Sequence, residues 1–184
     1  MFIASQKKRE NIAEYLLYMW QIEDLIRANL LDIEKIQENI IDKYTSLNDR
    51  QKKDLKEWYE SLIDMMKREG VAEKGHIQLN KNVLIQLNDL HRRLLADKKF
   101  ADYEAEFYKT LPYIVELRTK AGDEKNDELE TSFNALYGIL MLRLAGKEIS
   151  ASTKEALAQI TRFLALLSKY YRLDYNNELE TSER

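Results

Sequence analysis

The sequence predicts an all-α protein, a compact single-domain bundle of about six to seven amphipathic helices. Apolar residues recur at intervals of three and four positions, which is the period of a helix with one buried face. The 184 residues include only one proline and five glycines, too few for the many turns of an all-β protein. These two observations together favour helices packed around one core.

The length predicts one domain. A chain of 184 residues is slightly longer than a typical domain, and no stretch has the composition of a linker. We therefore expect a single helical domain over residues 1–175. Residues 176–184 are polar and are expected to form a loose tail.

Composition limits the compartment and the chemistry. Cysteine is absent, which excludes disulfides, thiolate metal sites and cysteine nucleophiles and fits a reducing compartment such as the cytoplasm. The first residues, MFIASQKKRE, place apolar residues before the basic cluster, the reverse of a signal peptide. We therefore expect a cytoplasmic protein.

Charge and hydropathy also limit the partners. The longest apolar run, Phe133 to Ala145, is interrupted by Asn134 and Arg143 and is shorter than the roughly 20 residues of a membrane span. The 29 basic and 32 acidic residues are interspersed rather than sorted into a basic face. Neither a membrane span nor a nucleic-acid partner is expected.

Two helices are predicted before residue 45. The first runs from Ser5, as N-cap, to Asn29, which would take the left-handed C-terminal conformation. It is predicted to lie near the centre of the bundle, because its apolar arc of about 220° is wider than that of a surface helix. The second begins at the Asp32 cap and is short. Its inward positions are expected to be Ile33, Ile36, Ile40 and Tyr44.

The next two helices have the clearest patterns. The third starts near Ser46 or Asn48 and stops at Gly70, and a loop over Val71 to His76 leads to the fourth. The inward face of the third is expected to hold Leu55, Trp58, Tyr59, Leu62, Ile63 and Met66. That of the fourth is expected to hold Val83, Leu87, Leu90 and Leu94.

A fifth helix is predicted from Lys99 to Ala121, with Asp97 as its cap and Gly122 as its end. Pro112 lies inside this range, where a proline either kinks the helix or occupies the first turn of a new one. The sequence leaves these two alternatives open.

The sixth and seventh helices complete the prediction. The sixth covers Asp123 to Ala145, and its Gly138 indicates a close approach by a neighbour. The seventh opens with Ser152 and Glu155 at capping-box spacing. The inward positions of the sixth helix are expected to be Leu129, Phe133, Leu136, Leu140 and Leu144. Those of the seventh are expected to be Leu157, Ile160, Leu164, Leu167 and Tyr171.

The apolar arc of the first helix contains a charged pair beside an aromatic ring. Glu23 and Arg27 are four residues apart, and Trp20 is near them. The favoured interpretation is an intrahelical ion pair at the core edge, covered by Trp20. The alternative is a ligand pocket, in which Arg27 anchors a carboxylate or phosphate, Glu23 orients it and Trp20 stacks on the ligand.

The two histidines give weaker signals. His91 borders the apolar face of the fourth helix, where a satisfied boundary histidine is favoured over a ligand-binding residue or general base. His76 follows Glu73 at the spacing of one half of a di-iron motif, but Asn88 stands where the second glutamate would be needed before His91. We expect no metal and no cofactor.

No phosphate loop, nucleophile elbow or zinc-protease motif occurs in the sequence. Catalysis is therefore disfavoured, and the sequence favours a non-enzymatic protein-interaction or structural module. Aromatic and apolar residues indicate where it would contact itself or another protein. The interface candidates are Tyr137 and Met141 on the sixth helix and Tyr170 and Tyr171 on the seventh.

The stretch ENIAEYLLYMWQIEDLIR, residues 10–27, resembles the opening helix of an uncharacterised bacterial family of small all-helical proteins, a "domain of unknown function" group. The resemblance implies a bacterial, cytoplasmic protein of one domain. That family has no established activity, so the resemblance implies no catalytic residue.

Overall fold

The fold is all-α, as predicted. The computed structural model describes residues 2–122 and 125–181, and no strand occurs in that part of the chain. Its helices are α1 (Phe2–Glu10), α2 (Ile12–Ala28), α3 (Ile33–Ile36), α4 (Asp49–Arg68), α5 (Gln78–Ala96), α6 (Ala101–Ala121), α7 (Glu128–Leu144) and α8 (Ala151–Tyr175). A π-helical turn at Gln37–Ile41 and a 3₁₀ turn at Lys98–Phe100 occur between them. Seven helices were predicted at most, and the eighth arises because the first divides in two.

The division between α1 and α2 falls at Asn11. Its side-chain Oδ1 accepts a hydrogen bond from the Ala13 N–H at 3.1 Å, so Asn11 caps α2. Ser5 lies inside α1 and is not a cap. At the other end the left-handed residues are Leu30 and Leu31, with φ of 60° and 55°, and not Asn29. The prediction of one helix from Ser5 to a left-handed Asn29 was therefore wrong.

Two compact units are distinguished along the chain. The first comprises Met1–Arg9 and Glu14–Val83, and the second Glu10–Ala13 and Leu84–Arg184. Fully buried side chains of the first unit include Leu16, Met19, Ile26, Ile36, Ile41, Met66 and Ile77. Those of the second include Ile12, Leu87, Tyr103, Ile114, Phe133, Ile160 and Phe163. The expected single domain over residues 1–175 stays a prediction.

The π-helical turn shifts the buried positions after α3. Asp32 caps α3 as predicted, accepting from the Glu34 N–H at 2.9 Å. Ile36 and Ile41 are both fully buried, five residues apart, because a π turn takes one residue more than an α turn. Of the predicted inward positions, Ile40 is half-buried and Tyr44 is exposed, so the prediction for Tyr44 was wrong.

Helices α4 and α5 confirm the predictions for their segments. Asn48 caps α4 and forms a capping box with Gln51. The fully buried face of α4 is Tyr59, Leu62, Ile63 and Met66, and Leu55 and Trp58 are half-buried. All four predicted residues of α5 are buried: Val83, Leu87, Leu90 and Leu94.

In the second unit, α6 packs against both α7 and α8. It continues through Pro112 as one helix and ends at Gly122 as predicted, and the φ of Gly122, 71°, is left-handed. Asp97 accepts from the Lys99 N–H at 3.0 Å and caps the preceding 3₁₀ turn. The helix therefore does not start again at the proline.

Helices α7 and α8 correct three predictions. Asp127 caps α7, and the predicted start at Asp123 lies outside the described residues. Leu144 is exposed rather than buried. At Gly138, no neighbouring atom of the described residues lies within 4 Å of where a Cβ would be. Ser150, not Ser152, caps α8, accepting from the Thr153 N–H at 3.2 Å.

Among the helices within residues 2–122 and 125–181, none has the length and apolar character needed to cross a membrane. This agrees with the expectation from the sequence.

Candidate functional site

The Glu23 carboxylate is buried in the first unit, with 1% of the residue exposed. A carboxylate taken out of water must be hydrogen-bonded or paired. Its Oε1 accepts from the Ile77 N–H at 2.9 Å and from Asn80 Nδ2 at 2.8 Å. Its Oε2 lies 2.5 Å from Nδ1 of His76. Three groups from one segment of chain thus converge on one side chain of α2.

Local sequence explains why these groups meet. Gly75 has a φ of 86°, a left-handed conformation that glycine adopts without strain, and it turns the chain into His76 and Ile77. These residues lead into α5, whose first turn contains Asn80. The Glu23 carboxylate therefore lies at a helix N-terminus, where free N–H groups and the helix dipole favour a negative charge.

His76 lies between Glu23 and Trp20. Its ring stacks on that of Trp20, with centroids 4.2 Å apart and planes 12° apart. Its side chain is 31% exposed. Nδ1 is taken by Glu23, and Nε2 has no hydrogen-bond partner within the described ranges. An imidazole that donates from Nδ1 to a carboxylate keeps its lone pair on Nε2, which can then accept a proton.

Arg27 binds two backbone carbonyls of the loop that ends at His76, and it does not pair with Glu23. Its Nη1 contacts Asp24 Oδ1 at 2.7 Å. Its Nη2 donates to the carbonyl of Val71 at 3.1 Å and to the carbonyl of Gly75. The expected Glu23–Arg27 ion pair is therefore not formed. Two of the three guanidinium nitrogens are occupied by the chain, and Nε has no partner in the described part of the protein.

The predicted residues Trp20, Glu23 and Arg27 therefore meet on one helix, and all three contact the loop that joins α4 to α5. Their spacing of three and four places them on one face of α2. Sequence reasoning missed His76 and Asn80 as their partners. The only local signal was a histidine after a glycine and immediately before a helix, which does not identify a partner 53 residues away.

His91 belongs to a different cluster, in the second unit. It is buried, and its Nδ1 lies 2.6 Å from the hydroxyl of Tyr103. The rings of Phe107 and Phe163 contact it edge-on, with centroids 4.8 and 5.9 Å away. Burial lowers the pKa of His91 below its ordinary 6.5, and nearby Glu128 opposes that shift only in part. The imidazole is therefore neutral and enclosed by aromatic rings.

The predicted interface residues differ in their exposure. Tyr137 and Met141 on α7 are half-buried. Tyr170 is buried, and its hydroxyl donates to the Asp102 carboxylate at 2.7 Å. Burial and this hydrogen bond raise the pKa of Tyr170 to about 12. Tyr171 is half-buried and stacks on the exposed ring of Tyr175.

A groove of about 500 Å³ lies between α6 and α7 in the second unit. Its apolar lining residues are Leu117, Ala121, Ala135, Ile139 and Leu142. Past this groove α7 becomes increasingly exposed: Leu129 and Phe133 are fully buried, whereas Leu142 is 44% and Leu144 72% exposed. The C-terminal half of α7 therefore presents apolar side chains that the other described residues cover only in part.

Across the described residues, no group of three or more His, Cys, Asp or Glu side chains is placed to hold a metal ion.

These features define an all-helical protein that has an internal carboxylate–imidazole pair and exposed leucines at the C-terminal end of α7. Residues 1–178 match the family described as Domain of unknown function (DUF4924), and the chain belongs to that family. The match confirms the resemblance of the first helix to a domain-of-unknown-function group and extends it over most of the chain. Comparison with curated proteins and with solved structures found no match.

Substitution Glu23→Gln is expected to lower the free energy of unfolding by about 2 kcal/mol, because charge-assisted hydrogen bonds to a buried carboxylate are lost. His76→Gln is expected to lower it by about 1 kcal/mol, since His76 is partly exposed. Urea denaturation measures both values. Glu57→Gln, at an exposed position on α4, is the control and should change the free energy by less than about 0.5 kcal/mol. Equal effects of Glu23→Gln and Glu57→Gln would contradict the structural role of Glu23.

The buried His91 predicts a pH dependence of stability. The pKa of His91 is lower in the folded state than the unfolded value of 6.5. As the pH falls through 6.5, the imidazole therefore becomes protonated in the unfolded state before it does in the folded state. The free energy of unfolding should therefore fall as pH falls through 6.5, by at most about 1.4 kcal/mol per pH unit, until the folded imidazole is protonated. Denaturation of the wild type and of His91→Leu at several pH values measures this difference. An unchanged slope in His91→Leu would refute the assignment.

Proposed function

We propose that this protein is a non-enzymatic helical interaction module that associates with a second copy of itself through α7. The observation that carries the proposal is the C-terminal half of this helix, where Leu142 and Leu144 are exposed beside an apolar groove. Exposed apolar patches of this kind mark protein-contact sites, because covering them removes apolar area from water.

The middle of α7 suits the approach of a second helix. At Gly138 the space that a Cβ would occupy is open, so another backbone can come close there. A helix is also a suitable occupant of the α6–α7 groove, because amphipathic helices bind apolar grooves through residues spaced at three and four positions. The α7 helix of a second copy is itself such a segment.

The charges of α7 favour an antiparallel pair. Its first turn carries Glu128 and Glu130, and its last turn carries Arg143, with Lys147 shortly after. In an antiparallel crossing at Gly138, the acidic end of each helix lies beside the basic end of the other. Such a contact is self-complementary, as a twofold dimer requires, and the opposed helix dipoles also attract.

We also propose a bacterial, cytoplasmic location for this module. The absence of cysteine supports a reducing compartment.

The double substitution Leu142→Asp and Leu144→Asp is expected to convert a dimeric wild type into a monomer, because it puts two charges into an apolar contact. Sedimentation equilibrium measures the association. Ile85→Asp, at an exposed isoleucine of α5, is the matched control and should leave the dimer intact.

The substitution Gly138→Ala distinguishes an effect on the dimer contact from an effect on folding of the monomer. It should raise the stability of the monomer by up to about 1 kcal/mol, because alanine favours a helix, and should weaken the dimer. A wild type that stays monomeric up to its solubility limit would contradict the second copy as the occupant of this surface.

A small-ligand or enzymatic site around Trp20, Glu23 and Arg27 is the second candidate function. The observation in its favour is the Nε2 atom of His76, which has no partner among the described residues while Glu23 holds Nδ1. A carboxylate-oriented imidazole of this kind is suited to general-base catalysis.

Hydrolysis of p-nitrophenyl acetate tests this second function. The wild type should exceed the rate of an equal concentration of free imidazole, whereas His76→Gln should lose the excess and Glu23→Gln should reduce it by at least about tenfold. His91→Leu is the control and should retain the rate. A wild-type rate equal to that of imidazole would exclude this activity.

A further inference from the structure

A second pocket, of about 170 Å³, lies in the first unit. Three tyrosines line it, and they come from three segments: Tyr18 from α2, Tyr59 from α4, and Tyr44 from the segment after the π-helical turn. Leu47 and Leu55 add apolar surface, and Asp54 adds one carboxylate. The pocket is thus mainly apolar with a few convergent polar groups, which is the usual composition of a small-molecule site.

The tyrosine hydroxyls of this pocket form no hydrogen bond with the residues that the structure describes. Tyr59 as a whole is 3% exposed, but its hydroxyl is not one of the buried polar atoms that lack a hydrogen bond in those ranges. The Tyr59 hydroxyl is therefore reached by water, and Tyr18 and Tyr44 line the same pocket. An acceptor that enters the pocket can replace that water as the partner of a tyrosine hydroxyl.

Two of these hydroxyls have a raised pKa and stay protonated at neutral pH. Burial raises the pKa of Tyr59, and the neighbouring Tyr18 and Tyr44 raise it further. Burial also raises the pKa of Tyr18. The hydroxyls of Tyr59 and Tyr18 are therefore available as donors. No lysine or arginine occurs among the described lining residues, so the pocket offers no cation to an anionic ligand.

We propose that this pocket binds a small neutral molecule of one ring that carries a carbonyl oxygen, with the oxygen directed to the hydroxyl of Tyr59. The volume sets the size, because a cavity of about 150 Å³ holds one benzene molecule. The protonated hydroxyls favour a ligand that accepts a hydrogen bond, and the absence of a cation in the described lining favours a neutral one. The site is separate from α7, so it does not depend on the proposed dimer contact.

Cyclohexanone and toluene are probes of matched size that differ in the carbonyl oxygen. The shifts of backbone amide resonances, followed by two-dimensional NMR during titration of the full chain, measure saturable binding. Cyclohexanone should bind, and Tyr59→Phe should weaken its affinity about fivefold, the typical net effect of one hydrogen bond. Toluene affinity should be unchanged by Tyr59→Phe, because that substitution keeps the ring.

Two further variants complete the test. Tyr108→Phe, at an exposed tyrosine of α6, should leave both affinities unchanged. Leu47→Trp should abolish binding of both probes, because it fills the pocket. Tyr18→Phe replaces Tyr59→Phe if the latter does not fold, with the same selective loss expected. Absence of saturable cyclohexanone binding, or an equal loss for both probes in Tyr59→Phe, would overturn the proposal.

Discussion

The buried carboxylate of Glu23 is the constraint on which the first unit depends. Once α2 is packed, this charge is out of water and must be satisfied by groups of the protein. Those groups are the imidazole of His76, the Ile77 N–H and the Asn80 amide, all at the start of α5. The carboxylate therefore specifies where the loop after α4 lies and where α5 begins.

Much of the fold could be predicted from the sequence, because helical periodicity and capping residues are local. The buried faces of α4 and α5 and the caps Asp32 and Asn48 agree with their patterns. Two local alternatives were misjudged. Asn11 competes as a cap between the charged residues that precede it and the apolar residues that begin at Ile12. The π turn shifts burial from Ile40 to Ile41, and nothing in the composition indicates this.

The candidate site was predictable only in part. Helical spacing correctly brings Trp20, Glu23 and Arg27 to one face, since that is a property of a single helix. Their partners His76 and Asn80 come from a distant segment, and no local pattern specifies such a contact. For the same reason Gly138 was misjudged. A glycine inside a helix permits a close approach, but only the tertiary structure shows whether the chain itself supplies the neighbour.

The π-helical turn at Gln37–Ile41 amounts to one extra residue within a helical path, and it sets the direction of the chain from Asp42 onward. Each residue of a helix advances the side chains by about 100°. A relative of this protein lacking one residue in this turn would bury an isoleucine at ordinary α spacing after Ile36. The residues after that isoleucine, including the counterpart of Tyr44, would keep their place relative to it. The extra residue is therefore accommodated within the turn itself, and a difference of one residue in length here would leave the tyrosine pocket in place.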